Sequence, residues 1–488
     1  MTPGGTGAIH AGFGGATLGP AFRDCKRRIA DSVDVRAIVV RGENCTAALA
    51  VADLGLLWPS TCCRIRTALA SQLKIPEAAV GVFTTQNHAV PYNDDPTTFD
   101  LDKLQEVFSS AVGAAADVQP VEVARVCAYP NPPLNLWRRV HLPEFGAFTY
   151  WYGWRVSPDG ARADASELLK LTLAGLARGE GQLRCRQLTG NDAVDFNVPE
   201  APLPVRAPFY ADVAPDTAVQ GLFFRTADAN GAPVGSIVRF ATHPATANHR
   251  NADYISGDYP AYVRRAAEKA FGGTSLFLTG PCGDSVAPVG IKSLDVARGL
   301  GERIAAAAVG QLSFAAWRRS GEVSVESPVV ELPIRGDYPA SRADAAQRAE
   351  SIEAEIRTLA GDLAPLPRIK QLTDQAEMLR YVSSGAFQSW TGLDTETLRG
   401  KSIPHPFFFL RIADSVIAGL PGEPFGAYSV RMRHETIGDA LIVAEEANGY
   451  LAYFPTAAEF PLGSYEPNAA LFGPRCEDIM VNAVRTFF

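Results

Sequence analysis

GSIVRFATHPATANHRNADYISGDYPAYVRRAAEKAFGGTSLFLTG, residues 235–280, is the stretch on which the fold turns. GSIVRFATHP (235–244) starts as a strand rich in β-branched and aromatic residues and ends in a polar loop rich in Tyr and Asp. YPAYVRRAAEKAF (259–271) has the apolar spacing of an amphipathic helix, and TSLFLTG (274–280) returns to strand. The same alternation precedes it: VRAIVV (35–40) and AALAVADL (47–54) read as strands, PSTCCRIRTALASQL (59–73) as a helix and AVGVFTT (79–85) as a further strand. Strand and helix in alternation imply an α/β layer arrangement, in which chemistry usually sits in the loops that follow strand ends.

Farther along, SELLKLTLAGLARG (166–179) has helical spacing, and the proline-rich VPEAPLPVRAPF (198–209) must be extended. A charged tract over 340–383, broken by two prolines at LAPLPR, reads as a helical hairpin inserted in one α/β domain spanning 1–488. The hairpin suits a lid or a contact in a homo-oligomer, and a solvated helix pair is the plainer reading. FFFLRIADSVIAGLPGEPF (407–425) reads as two short strands around the IADS turn, leading into a tight Pro-Gly loop that carries Glu423. No internal repeat is visible at solenoid periods.

Composition removes several functions. With 488 residues, 47% hydrophobic and 20% charged, the chain belongs to the soluble globular class. A net charge of −8 without a long Lys/Arg run argues against a nucleic-acid partner, since such binding rests on neutralising phosphates. No segment approaches the roughly 18 uninterrupted apolar residues of a membrane span. The first twenty residues lack a basic region followed by an apolar one, so a cytoplasmic location is expected. The eight cysteines form neither a CxxC pair nor a dense framework and read mostly as buried thiols. Gly12 and Gly14 lack the third glycine of a dinucleotide loop, and GxSxG, HExxH and Walker signatures are absent. An active site must therefore be assembled from distant segments.

Four segments set metal-competent or polar side chains in loops after strands: TTQNHAVP with His88, FATHPATANH with His243, GLPGEP with Glu423, and NGYLAYFPT with Tyr450 and Tyr453. Imidazole, carboxylate and phenolate all suit zinc, which leaves a position for an activated water. Each also has a structural reading: a histidine satisfied at a strand end, or Glu423 capping the next helix.

These segments resemble the neutral, nonlysosomal ceramidase family over nearly the whole chain. The matches run in family order: Asp53 in AVADL, TTQNHAVP, LWRRV with Arg138 and Arg139, FATHP, FLTGPCGD, GLPGEPF, and NGYLAYFPTAAEF followed by YEPNAALFGP. The resemblance implies a layered mixed-sheet α/β domain in which zinc activates water against the amide of an N-acyl sphingoid base. It assigns zinc ligation to His243, Glu423 and Tyr453, and it puts Gln86 where the family has its first ligand histidine. His88 and Tyr465 match side chains that contact the reacting amide, and Arg138 or Arg139 matches a substrate-facing arginine.

Gln86 is the chief departure, because a neutral amide oxygen is a much poorer zinc donor than imidazole. GPCGDSVAP also looks one residue longer than the family loop, which leaves the roles of Ser285 and Cys282 open. A thiol nucleophile at Cys282 would need a neighbouring base. Asp258 reads as a helix cap or a support for the ligands, and His249 as a loop histidine or an alternative ligand. The expected activity is a ceramidase-like amidohydrolase acting on a small soluble N-acyl or amide substrate, with zinc-activated water if the metal is retained. The alternatives are a metal-independent enzyme for a cyclisation, condensation or elimination, and a noncatalytic binding protein.

Overall fold

A computed structural model describes residues 7–23, 27–91, 98–142, 146–149, 214–247, 254–288, 292–359 and 366–488. The 166–179 and 198–209 segments and His249 lie outside the described residues.

One order of elements occurs three times. The first run is β1 (His10–Thr17), β2 (Asp34–Arg41), β3 (Thr46–Ala52), α1 (Pro59–Leu73), β4 (Val80–Thr84) and α2 (Leu101–Ala115). The second is β5 (Gln119–Ala128), β6 (Val219–Thr226), β7 (Pro233–Phe240), α3 (Asp258–Ala270), β8 (Thr274–Thr279) and α4 (Leu294–Val309). The third begins with β9 (Val323–Glu326) and takes in α5 (Arg342–Leu359) and α6 (Leu366–Ser384), the two helices of the 340–383 tract. It continues with β10 (Phe408–Ile412), β11 (Ser415–Gly419), α7 (Gly426–Glu435), β12 (Leu441–Ala444), α8 (Tyr465–Ala469) and α9 (Cys476–Arg485).

In every run three strands pair antiparallel, and a helix then carries the chain to a fourth strand parallel to the third. The first two runs join through two residue pairs between β1 and β5, which gives a sheet ordered β8-β7-β6-β5-β1-β2-β3-β4. The third run forms its own sheet, β9-β10-β11-β12.

Alternating side chains stack these elements into four layers. Along β3, Leu49 and Val51 face the second sheet, together with Phe408, Leu410, Ile417 and Ile442, while Ala48 and Ala50 face α1 and α2. In the second run Leu276 and Leu278 face the same inter-sheet core, and Phe277 and Val238 face α3 and α4. Val416, Ala418, Leu441 and Val443 point outward to the helices of the third run. The result is the layered mixed-sheet α/β architecture expected from the sequence. Gly14 lies inside β1, where a Cβ would stand 2.2 Å from the Ala111 carbonyl of α2, so the N-terminal glycines serve close helix-sheet packing.

Among the six described cysteines, Cys62, Cys282 and Cys476 are buried and Cys63 is exposed. Asp53, at the end of β3, receives both guanidinium nitrogens of Arg264 from α3 at 2.6 Å and the Asp34 amide at 2.9 Å. This pair clamps the first run to the second and has almost no solvent contact. Asp53→Ala leaves the buried Arg264 charge with only Asp34, 3.7 Å away, so urea unfolding should show a loss of about 3 kcal/mol. A loss near zero would mean the clamp does not hold the two runs together.

Candidate active site

The ends of the three parallel strands meet. Thr279, ending β8, donates its hydroxyl to the Thr85 carbonyl at 2.8 Å and accepts the Glu445 amide at 2.9 Å. Asn448 binds the Val82 amide through Oδ1 at 3.1 Å, and Phe83 bridges to Ala447. The segments after these strands and after β7 and β11 therefore face one centre.

Each candidate side chain is held there by its own loop. Asp258 fixes the FATHP loop by accepting from the Thr246 hydroxyl and from the Ala247 amide. The His88 amide donates to Pro244 O at 2.9 Å, which ties the TTQNH loop to the same place. Gln86 takes a left-handed backbone, φ 60°, as does Glu446 at φ 58° after β12. Glu423 pairs in parallel with Tyr453, and the approach needs Gly422, where a Cβ would lie 2.2 Å from Ala452 O. Arg138 enters from the segment between β5 and β6, its amide donating to Asp284 O at 2.8 Å.

At the centre, His243 Nδ1 lies 2.9 Å from the Ser285 carbonyl, which can only accept, so Nδ1 carries the hydrogen and Nε2 the lone pair. Nε2 is 3.1 Å from Glu423 Oε2 and 3.3 Å from Arg138 Nη1. Burial and the Arg138 charge depress the imidazole pKa, which keeps it neutral. Tyr450 donates to Glu423 Oε1 at 2.9 Å. Arg138 donates to Gly283 O at 2.6 Å, pairs with Glu466 at 2.7 Å, and lies over the Tyr453 ring. The ring of Tyr465 meets that of Tyr453 at 5.4 Å, and the His88 ring lies 5.6 Å from that of His243. His243, Glu423, Arg138, Tyr453, His88, Gln86 and Tyr465 are all buried.

Arg139 does not join this group. Its guanidinium binds Glu459 and Glu466 at 2.7 Å each and the Gly463 carbonyl at 3.0 Å, so of the two candidate arginines it is Arg138 that reaches His243. Ser285 Oγ is turned to the Ala241 carbonyl.

The sequence reading passed over Glu445, Glu446, Glu466 and Asp284. Two acids following the apolar run LIVA, and the glutamate beside Tyr465, were the available signals. Glu445 accepts the Cys282 amide at Oε2, and its Oε1 is 2.9 Å from Cys282 Sγ, which is also 3.2 Å from Gln86 Oε1. One S–H serves only one of these two oxygens at a time, and burial and the Glu423 charge push the Glu445 pKa well up. The Cys282 thiol is itself raised well above its ordinary value by burial and by Glu445, which disfavours a thiolate nucleophile.

Zinc, implied by the family resemblance, does not suit this donor set. Gln86 Oε1 is taken by the Cys282 thiol, and Tyr453 resists ionisation because it is buried beside Glu423. A guanidinium already lies against the Nε2 lone pair. Among the described residues, no group of three His, Cys, Asp or Glu side chains is placed to hold a metal.

Asp284 Oδ1 accepts the Gly426 amide and Oδ2 the Trp137 indole, and burial pushes its pKa up to about 6. Its folded value lies above its unfolded one, so its contribution to stability is whole below about pH 4 and is lost as pH rises through about 6. The stability of the wild type relative to Asp284→Asn should therefore fall by up to about 3 kcal/mol between pH 4 and pH 7. A pH-independent difference in chemical unfolding would contradict the burial account.

No family model and no curated protein matches the chain. Among solved structures it is similar to neutral ceramidase from Pseudomonas aeruginosa, with a TM-score of 0.59 and 15% identity over 98% of this chain and 74% of that one. It is likewise similar to a structure described as ceramidase complexed with C2, with a TM-score of 0.60 at the same identity and coverage. At this identity the likeness is one of fold: the chain has the layered α/β fold of these ceramidase structures.

Proposed function

We propose that this protein is an enzyme acting at the amide, N-acyl, bond of a small substrate. The observation that carries the reading is the buried His243–Glu423 pair, 3.1 Å apart and facing the Arg138 guanidinium. A neutral imidazole beside a carboxylate accepts a proton from the attacking group and returns it to the leaving nitrogen. Arg138, with His88 and Tyr465, supplies N–H and O–H groups for the negative charge that develops on the carbonyl oxygen. These donors are fixed before substrate arrives, Arg138 by Glu466 and Gly283 O and Tyr465 by the start of α8.

A cleft of about 930 Å³ lies between α5, α6 and the Phe460–Asn468 segment, and none of the central side chains lines it. Gly463 lines the cleft, and Asp374 in its wall accepts the Ser464 amide next to Tyr465. With water as attacking group the outcome is hydrolysis, which agrees with the fold of the similar structures. A second reading, cyclisation or condensation with an amine or hydroxyl of the substrate, is favoured by the burial of every central side chain, which limits access of water.

The test is a mass-spectrometric screen of soluble N-acyl amides, run without added metal, for free acid, free amine and exchanged acyl products. Glu423→Gln and Arg138→Gln should each lower kcat by about 100-fold or more on any substrate found. Turnover unaffected by both substitutions would overturn the assignment of this centre.

A further inference from the structure

We infer that the guanidinium of Arg138 is the resident cation of this site and occupies the electrostatic role that a metal ion has in the family the sequence resembles. The inference deepens the proposed function, and rests on it only for the name of the reaction.

His243 commits its Nδ1 hydrogen to Ser285 O, so that Nε2 faces the centre. Glu423 Oε2 is 3.1 Å from Nε2, and neither side chain has solvent exposure. A carboxylate buried in this way calls for a positive group against it. Arg138 Nη1, 3.3 Å from Nε2, is that group. Its side chain has no exposure to solvent, and its other nitrogens are fixed by Gly283 O and Glu466. Glu466 is in turn held by Arg139 and Thr149, so the guanidinium cannot swing away without breaking a buried network.

Gln86 completes the picture. An imidazole at this position would be a strong metal donor, whereas the amide oxygen here is bound by the Cys282 thiol. Two features thus oppose a metal independently: a weak donor at Gln86 and a like charge at Arg138. His243, Glu423 and Tyr453 remain, and removing both obstacles should return the centre to a zinc site.

The experiment is a zinc titration by calorimetry of metal-stripped protein, with bound zinc counted by plasma mass spectrometry after gel filtration. Wild type, Gln86→His, Arg138→Gln and the double variant are compared, each checked for native circular dichroism. The expected result is no stoichiometric zinc on wild type and about one zinc per chain on the double variant. Affinity should be about 100-fold or more above wild type and lost again when His243→Ala is added. Gln86→His alone, which keeps the buried network intact, should bind more weakly than the double variant.

One zinc per wild-type chain that disappears in His243→Ala would overturn the inference. So would a folded double variant no better than wild type, or Gln86→His alone matching it. Zinc counting does not read catalysis. The expected zinc pattern without any amide turnover would leave Arg138 as resident cation and remove only the proposed reaction.

Discussion

Glu466 is the carboxylate on which the centre depends. Two arginines adjacent in sequence, both without solvent contact, converge on it, Arg138 at one oxygen and Arg139 at the other. Burial drives its pKa upward, yet the two guanidinium groups and Thr149 hold it below the ordinary value, so the anion persists inside the protein. Charges taken into a dry interior must be paired and hydrogen-bonded. That requirement fixes where Arg138 stands, where α8 begins and how Tyr465 meets Tyr453.

Around this network the three runs of strands and helices supply walls of equal construction. Each brings a parallel pair of strands to the centre, and each pair delivers two loops. The loops after β3, β7 and β11 carry Asp53, His243 and Glu423, and those after β4, β8 and β12 carry Gln86, Cys282 and Glu445. Asp53 is spent on clamping α3, while its counterparts in the other two runs face each other at 3.1 Å. Equivalent positions in one architecture have thus diverged into structural and chemical uses.

Much of the architecture was legible in the sequence because period-2 apolar runs and amphipathic spacing are local signals. The strand–helix–strand unit over 235–280 and the paired strands around Ala413–Asp414 are examples. The threefold order was not legible, since long insertions separate β5 from β6 and β9 from β10 whereas β2 follows closely on β1, and the runs share chain path rather than sequence. His243, Glu423, Tyr453 and His88 stand out in loops after strands, Gln86 and Tyr465 are pointed to only by the family resemblance, and the fold brings them close together. The choice between Arg138 and Arg139 was beyond the sequence, because both reach the same carboxylate, Glu466, and only their remaining partners, His243 and Gly283 for Arg138 and Glu459 and Gly463 for Arg139, decide which one faces the centre. Glu445 escaped for a related reason: a buried acid has meaning only once its neighbour across the sheets, here Cys282, is known.

Of the eight non-glycine residues with positive φ among those described, six lie in segments that build the centre: Gln86, Asp258, Glu446, Asn448, Ala452 and Ser464. Left-handed backbone at such residues costs roughly 1 kcal/mol apiece. Glycine at these places would relieve the strain and make the fold sturdier, while loosening the very loops that aim His243, Glu423 and Tyr465. The centre therefore draws on the stability of the sheets for its own rigidity, and a lineage selected for hardiness alone would be expected to drift toward glycine here and lose its chemistry first.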